Sequence, residues 1–331
     1  MAEKDPFDTL QQIAGGYCLA RCLHVVADLG VADHLDAAPR TARELARDLD
    51  ANPDALRRIL RLLSAHGIFE ATGDTFQHSP ASRLLRSDHP QSMRAFARMI
   101  GLPVNWTIYG AMEHSVKTGH PTTEKILPDG YWHHLATHPQ EGRIFNEAME
   151  AKAHGQIASI IASYDFSVFR TIADIGGGRG HLLHAIISSS PQAHGVLFDL
   201  PHVIEEAAAG AASPRITLQA GDFFRDELPR CDAYVAMDII HDWDDEQALA
   251  ILKAIRRAAP ASAKLLLLET MVSEAPGPDW GKMLDIHMLV LLGGRQRTLD
   301  EYTRLLRESG YAFQREIDTQ AGISILEAEA V

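Results

Sequence analysis

The stretch Thr171-Ile172-Ala173-Asp174-Ile175-Gly176-Gly177-Gly178-Arg179-Gly180 restricts the fold more than any other part of the chain. It reads as a short buried strand ending in an acid, then a glycine turn, then a helix from His181 onward. Glycine has no Cβ and tolerates positive φ, so such a turn lets backbone come close to a ligand. The helix behind it offers free N–H groups, where an anionic group can sit. A dinucleotide fingerprint needs a third glycine three places after the second. Counted from Gly176 and Gly178 that place is His181, and no other register works. The loop therefore suits a nucleoside ligand without a pyrophosphate, with Asp174, Gly176 and Gly178 as its candidate contacts.

From Arg170 onward strands and helices alternate, the pattern of a parallel α/β sheet. A second strand spans Gly195 to Asp199 and a third Arg215 to Ala220. A fourth runs from Asp232 to Ile240, and a fifth, Lys264 to Leu268, stops at Glu269. Two further strands, Tyr311–Ile317 and Ile323–Ala328, are close enough in sequence to pair as an antiparallel edge. Each of the first five ends in or runs into a polar or charged residue, and ligands of open α/β sheets bind at that carboxyl edge. Asp199 lies 25 residues beyond Asp174, the usual place for an acid that accepts from ribose hydroxyls. Capping of the helix from Pro201 is its other reading. Asp222 can accept from an adenine amino group while Phe223 covers the ring, with a cap or core role as the alternative. S-adenosylmethionine is the candidate ligand. Ala207–Ala212 is a turn of small residues.

The amino-terminal third is different. Ile13, Tyr17, Ala20, Leu23, Val26 and Leu29 recur at helical spacing, and Gly30 closes that helix. Thr41 and Glu44 form a capping box. Asn52-Pro53 starts a helix that turns Leu56, Ile59, Leu60, Leu62 and Leu63 inward, followed by a hairpin around Gly73-Asp74. Helices followed by a small β-wing make a winged-helix pattern. Arg57, Arg58 and Arg61 lie where a recognition helix would enter DNA, but the first 100 residues hold 12 basic and 13 acidic side chains. Without a basic excess there is little to hold phosphates, so nucleic acid is not the expected partner. The net charge of −13 over 331 residues points the same way.

Residues 92–165 look helical and carry Phe96, Met99, Trp106, Tyr109, Met112, Trp132, Phe145 and Met149. Such a stripe is either core or the lining of a small-molecule pocket. The histidines here lack H-E-x-x-H spacing and read as solvated, so no metal is expected. Three cysteines cannot make a disulfide framework. Cys18 and Cys22, spaced i, i+4, read as core packing. MAEKDPFDTL has no apolar run of leader type, and no stretch reaches the ~20 apolar residues of a membrane span. A cytoplasmic protein with no membrane partner fits.

His241 follows the fourth strand and heads His241-Asp242-Trp243-Asp244-Asp245. Asp244 and Asp245 suit the start of the next helix, and a metal cluster of these acids is the weaker reading. Glu269, ending the neighbouring strand, is placed to orient the imidazole, as an acid often orients a base.

Taken together, these motifs resemble the S-adenosylmethionine-dependent O-methyltransferases of the caffeic acid, hydroxyindole and bacterial polyketide-tailoring type. The likeness covers essentially the whole chain. Its marks are the winged-helix start, Phe145-Asn146-Glu147-Ala148-Met149, the glycine loop, Asp199-Leu200-Pro201, Gly221-Asp222-Phe223, His241-Asp242-Trp243 and Gly293-Gly294-Arg295-Gln296-Arg297-Thr298. The resemblance implies a Rossmann-like α/β sheet, mostly parallel with an antiparallel edge, behind a winged-helix dimerisation domain. Its divisions are 1–100 for dimerisation, 101–165 for helices lining the substrate pocket, and 166–331 for the methyltransferase domain.

It further implies His241 as general base flanked by Glu269, and Leu200, Met237 and Trp243 beside the cofactor. Trp106, Phe145, Met149, Met283, His287 and Gln296 fall to the acceptor side. A homodimer, in which the partner helps to close the pocket, is implied too. Two positions depart from the plant pattern: Gln296 stands for a second flanking glutamate, and Met237 for a lysine. The acceptor expected is a small aromatic hydroxyl, because a histidine base is poorly matched to an aliphatic alcohol. An N-methyltransferase of the same fold and a ligand-responsive winged-helix regulator are the rival readings.

Overall fold

The computed structural model describes residues 5–35, 38–210 and 213–331. Met1–Lys4 of the stretch read for a leader, and Ala211 and Ala212 of the small-residue turn, lie outside these ranges. The chain forms two compact units. One comprises the chain up to Thr107 together with Leu135–Lys152, the other Ile108–His134 with Ala153–Val331.

In the first unit, the Asp5 side chain accepts from the Phe7 N–H and opens the helix Pro6–Leu29, which Gly30 ends at φ 71. Both N–H···O bonds of the Thr41–Glu44 capping box are present ahead of Ala42–Asp48. Asn52 caps Pro53–Ala65, where Leu56, Leu60 and Leu63 are buried and Ile59 and Leu62 only half-buried. Strands β2 (Phe69–Thr72) and β3 (Thr75–His78) form the expected hairpin. The sequence did not reveal β1 (Arg40–Thr41), which pairs with β3 and completes a three-stranded wing.

Cys18, expected in the core, is exposed, and Cys22 is half-buried. The reason is that the first half of the long helix leaves its apolar side uncovered: Phe7, Leu10, Ile13 and Tyr17 are each 67–73% exposed. Trp106 packs its ring 6.0 Å from that of His24, with the Arg21 guanidinium over it. Phe145 and Met149 lie against Met99, Leu102, Ile144 and Ala148.

The second unit is built on a seven-stranded sheet. Its parallel strands are β4 (Thr171–Ile175), β5 (His194–Asp199), β6 (Ile216–Ala220), β7 (Ala233–Met237) and β8 (Lys264–Glu269). The antiparallel pair β9 (Tyr311–Asp318) and β10 (Ser324–Ala330) completes it, giving the order β6-β5-β4-β7-β8-β10-β9. Buried Val, Ile, Leu and Ala side chains cover both faces, as a doubly wound sheet requires. Strand order reverses between β4 and β7, and such a reversal opens a crevice at the carboxyl ends. The fourth strand stops at Met237 rather than Ile240. Asp238 takes φ 54, and Ile240–Asp242 coils into a single 3-10 turn. Aspartate is among the few residues that tolerate that left-handed region. Among the described residues no helix is long and apolar enough to cross a membrane.

Candidate active site

At the end of β4 the chain turns through Gly176 at φ 70, Gly178 at φ 58 and Gly180 at φ 80. A Cβ on Gly176 would come within 2.6 Å of the tip of the Ile239 side chain, which could yield, so it is the positive φ that demands glycine there. Asp199, at the end of β5, is held by backbone: its Oδ2 accepts from the Gly178 N–H at 2.8 Å and its Oδ1 from the Leu200 N–H at 2.7 Å. Burial pushes this carboxyl up, and the two N–H groups oppose that. Asp174 lies beneath the loop, only 1% exposed, and a Cβ on Gly177 would collide with its carboxyl. Burial, and then the charge of Asp199, push Asp174 up to about 7. Its position supports the loop from below, while Asp199 and the half-exposed Leu200 line the open side.

Beyond β6, Oδ1 of Asp222 accepts from the Phe224 N–H at 2.9 Å. Phe223, Phe224 and Trp243 pack edge to face with centroids 4.8–5.8 Å apart. Sequence reasoning assigned Phe223 and Trp243 but missed Phe224. The doublet Phe223-Phe224 was the available signal. A glycine loop, a backbone-fixed carboxylate and an aromatic wall have the chemistry that a nucleoside needs.

His241 is nearly fully buried and lies between acids. Its Nδ1–H donates to Oε2 of Glu269 at 2.8 Å, and Oε1 of the same carboxylate accepts from the Ile240 N–H at 2.8 Å. Asp242 Oδ1 stands 3.3 Å from Nε2, and Asp238 Oδ1 is 3.8 Å from Nδ1. Burial alone would lower the imidazole. The charge of Glu269 and the hydrogen bonds of Asp242 and Glu269 outweigh it and raise His241 to about 10. Ligand atoms of Asp238, His241 and Glu269 lie close enough to embrace a cation, a grouping the sequence did not indicate. In this arrangement the imidazolium supplies the positive charge that the two carboxylates need. The acids downstream are otherwise engaged. Asp244 caps the helix Asp245–Ala258, and Asp245 pairs with Arg297 at 2.9 Å and Arg304 at 3.1 Å.

The loop 293–298 holds this turn in place. Arg297, fully buried, donates to the carbonyls of Ile240 at 3.0 Å and Trp243 at 2.9 Å, on either side of His241. The Arg295 N–H donates to the His241 carbonyl at 2.9 Å. Gln296 is 2% exposed, and among the described residues neither its amide oxygen nor its amide nitrogen has a partner.

A family model described as the O-methyltransferase domain matches residues 109–312, and one described as the O-methyltransferase dimerisation domain matches 11–88. The chain belongs to the O-methyltransferase family. It is 40% identical to a phenazine O-methyltransferase of Lysobacter antibioticus over 97% of this chain and 96% of that one. With an 8-amino-8-demethylriboflavin N,N-dimethyltransferase of Streptomyces davaonensis it shares 37% identity over 88% and 86% of the two chains. The solved structure of a mitomycin 7-O-methyltransferase superposes with TM-score 0.90 at 32% identity, covering 98% of this chain and 97% of that one. This O-methyltransferase uses S-adenosylmethionine, and its glycine loop and Asp199 have the form that such a donor needs. The rival reading as a winged-helix regulator falls with the methyltransferase match.

Proposed function

We propose that this O-methyltransferase methylates the hydroxyl of a small aromatic acceptor, with His241 as general base and Glu269 as the acid that orients and charges it. The observation that carries this is the buried imidazole fixed through Nδ1 to Glu269, with Nε2 3.3 Å from the Asp242 carboxylate. Bound S-adenosylmethionine supplies the activated methyl group. Asp199, Gly176, Gly178 and Leu200 would hold it, with Asp222, Phe223, Met237 and Trp243 around its base and Asp174 under the loop. Met283, His287 and Gln296 are the acceptor-side residues of the carboxyl-terminal unit.

The protein's own task is to handle the acceptor's proton. A phenol titrates near ~10, and an ordinary histidine near ~6.5 would take its proton at a cost of about 5 kcal/mol. The rise of His241, driven by Glu269 and Asp242, narrows that gap, and the neutral form of the ring takes the proton. Transfer then leaves an imidazolium between Glu269 and the new phenolate. An aliphatic alcohol would remain far outside this range, which favours an aromatic hydroxyl.

The same reading includes a homodimer. The dimerisation model covers 11–88, and the exposed Phe7, Leu10, Ile13 and Tyr17 offer a second copy an apolar helix face.

Steady-state kinetics of His241→Ala and His241→Gln test the base. kcat should fall by about 10²–10⁴-fold with the affinity for S-adenosylhomocysteine nearly unchanged. A neutral amine acceptor needs no base, so near-native kcat in His241→Ala would overturn the hydroxyl reading in favour of N-methylation.

A further inference from the structure

Trp280, Met283 and His287 follow one another at steps of three and four along the helix Trp280–Leu291, so they share a face. Trp280 and Met283 remain 42% and 59% exposed despite their size and apolarity. Such a surface suits a flat apolar ligand. His287 is the polar group on this wall. Its Nδ1 is bonded to the hydroxyl of Tyr109, which lies 178 residues earlier in the chain. The two rings meet edge to face at 5.4 Å, and Trp280 lies 6.3 Å from the imidazole.

Burial pushes the Tyr109 hydroxyl well up and His287 down, so both are uncharged near neutral pH. A phenol that keeps its proton donates it to Nδ1, and the neutral imidazole then carries its hydrogen on Nε2. Tyr109 thus fixes the tautomer, and His287 presents one N–H donor. Among the described residues no acceptor meets Nε2. The same helix is tied to the base: Asp285 accepts from the Gln296 N–H at 2.9 Å, and the adjoining Arg295 N–H bonds the His241 carbonyl.

We propose that Tyr109 and His287 form a specificity couple for aromatic acceptors that carry an uncharged hydrogen-bond acceptor, a ring nitrogen or ring carbonyl, in addition to the hydroxyl that is methylated. The inference rests on the reading of an aromatic hydroxyl methylated at His241. A carboxylate in the same role is disfavoured, because it would want an imidazolium at 287 while burial favours the neutral ring there.

The test compares naphthol with the positional hydroxyquinolines, which exchange one ring CH for nitrogen on the same frame. In the native enzyme at least one hydroxyquinoline should exceed naphthol by about 10-fold in kcat/KM, the worth of one neutral hydrogen bond, with the difference in KM. His287→Phe should bring that ratio close to one. Tyr109→Phe should reduce it in part, and nitrogen NMR of labelled histidine should show His287 passing from one tautomer to a mixture. No preferred hydroxyquinoline, a preference that survives His287→Phe, or an unchanged tautomer in Tyr109→Phe would each overturn the couple. His241→Gln is run on the same acceptors. If it retains native kcat, the base reading fails separately, while the KM ratio still reports on His287.

Discussion

Gly294 lies flush against the carbonyl oxygen of His241. A methyl group in place of its hydrogen would overlap that oxygen and the Asp242 backbone. The contact is backbone to backbone, so no flexible side chain can yield. Gly294→Ala should therefore displace the 240–243 turn and lower kcat by about 10-fold or more, alongside the ~1–3 kcal/mol of destabilisation usual for overpacking. Affinity for S-adenosylhomocysteine, for which the glycine loop and Asp199 on other strands are the proposed main contacts, should change by less. Kinetics beside calorimetry will check this, and native kcat in the folded variant would refute it.

The pH dependence follows from the position of His241. Its folded value, about 10, is above the ordinary 6.5. The stabilisation from its ion pairs is therefore complete below pH 6.5 and fades as pH climbs through 10. Activity runs the opposite way, because only the neutral imidazole accepts a proton. With a phenolic acceptor, log kcat/KM should rise with unit slope from neutrality toward pH 10. Asp242→Asn removes one contribution that raises the imidazole, so the profile should move toward lower pH. A plateau already reached at pH 7 in the native enzyme would contradict the assignment.

Asp199, the proposed ribose acceptor, accepts from the Gly178 N–H of the glycine loop and from the neighbouring Leu200 N–H. Asp199→Ala removes the ribose acceptor and also releases the loop. Hydrogen bonds to a charged group contribute about 1.5–3 kcal/mol, so affinity for S-adenosylhomocysteine should weaken by ~10–100-fold. Asp174→Asn, beneath the loop, should have a smaller effect. Titration calorimetry distinguishes the two, and equal losses would mean that Asp174 contributes directly to binding.

Features local in sequence were legible before the structure. The glycine loop follows its strand directly, Asp199 ends the next strand, and His241 comes shortly after the strand beside the one that Glu269 ends, so motif order and strand alternation place all of them at one edge. What escaped depends on backbone turns and distant pairings. The left-handed Asp238 is what swings His241 back against Glu269 and leaves Asp242 across Nε2, and no residue pattern announces that φ. Tyr109 and His287 are brought together by tertiary packing alone. Cys18 was misplaced because a helical apolar pattern does not say whether its face is covered within one chain or by another.

The exposed stripe of the first helix gives a direct experiment. Leu10→Lys together with Ile13→Lys puts two charges into the proposed interface while touching nothing in the chain's own core. Sedimentation should show the native protein as a dimer at micromolar concentration and the variant shifted toward monomer. A native monomer with full activity would remove the homodimer.

β10 lies between β8 and β9, and its Ser324 pairs with Glu269 at the last position of β8. That pairing bears on the order of assembly. A ribosome delivers His241 and Glu269 long before residues 324–330, so until those emerge β8 is an open edge. Long-range pairings of this kind close slowly. The His241–Glu269 pair would thus be among the last features of the nascent chain to take shape, and a chain interrupted before Ser324 would carry every residue of the proposed site yet leave the strand that ends in Glu269 without its neighbour.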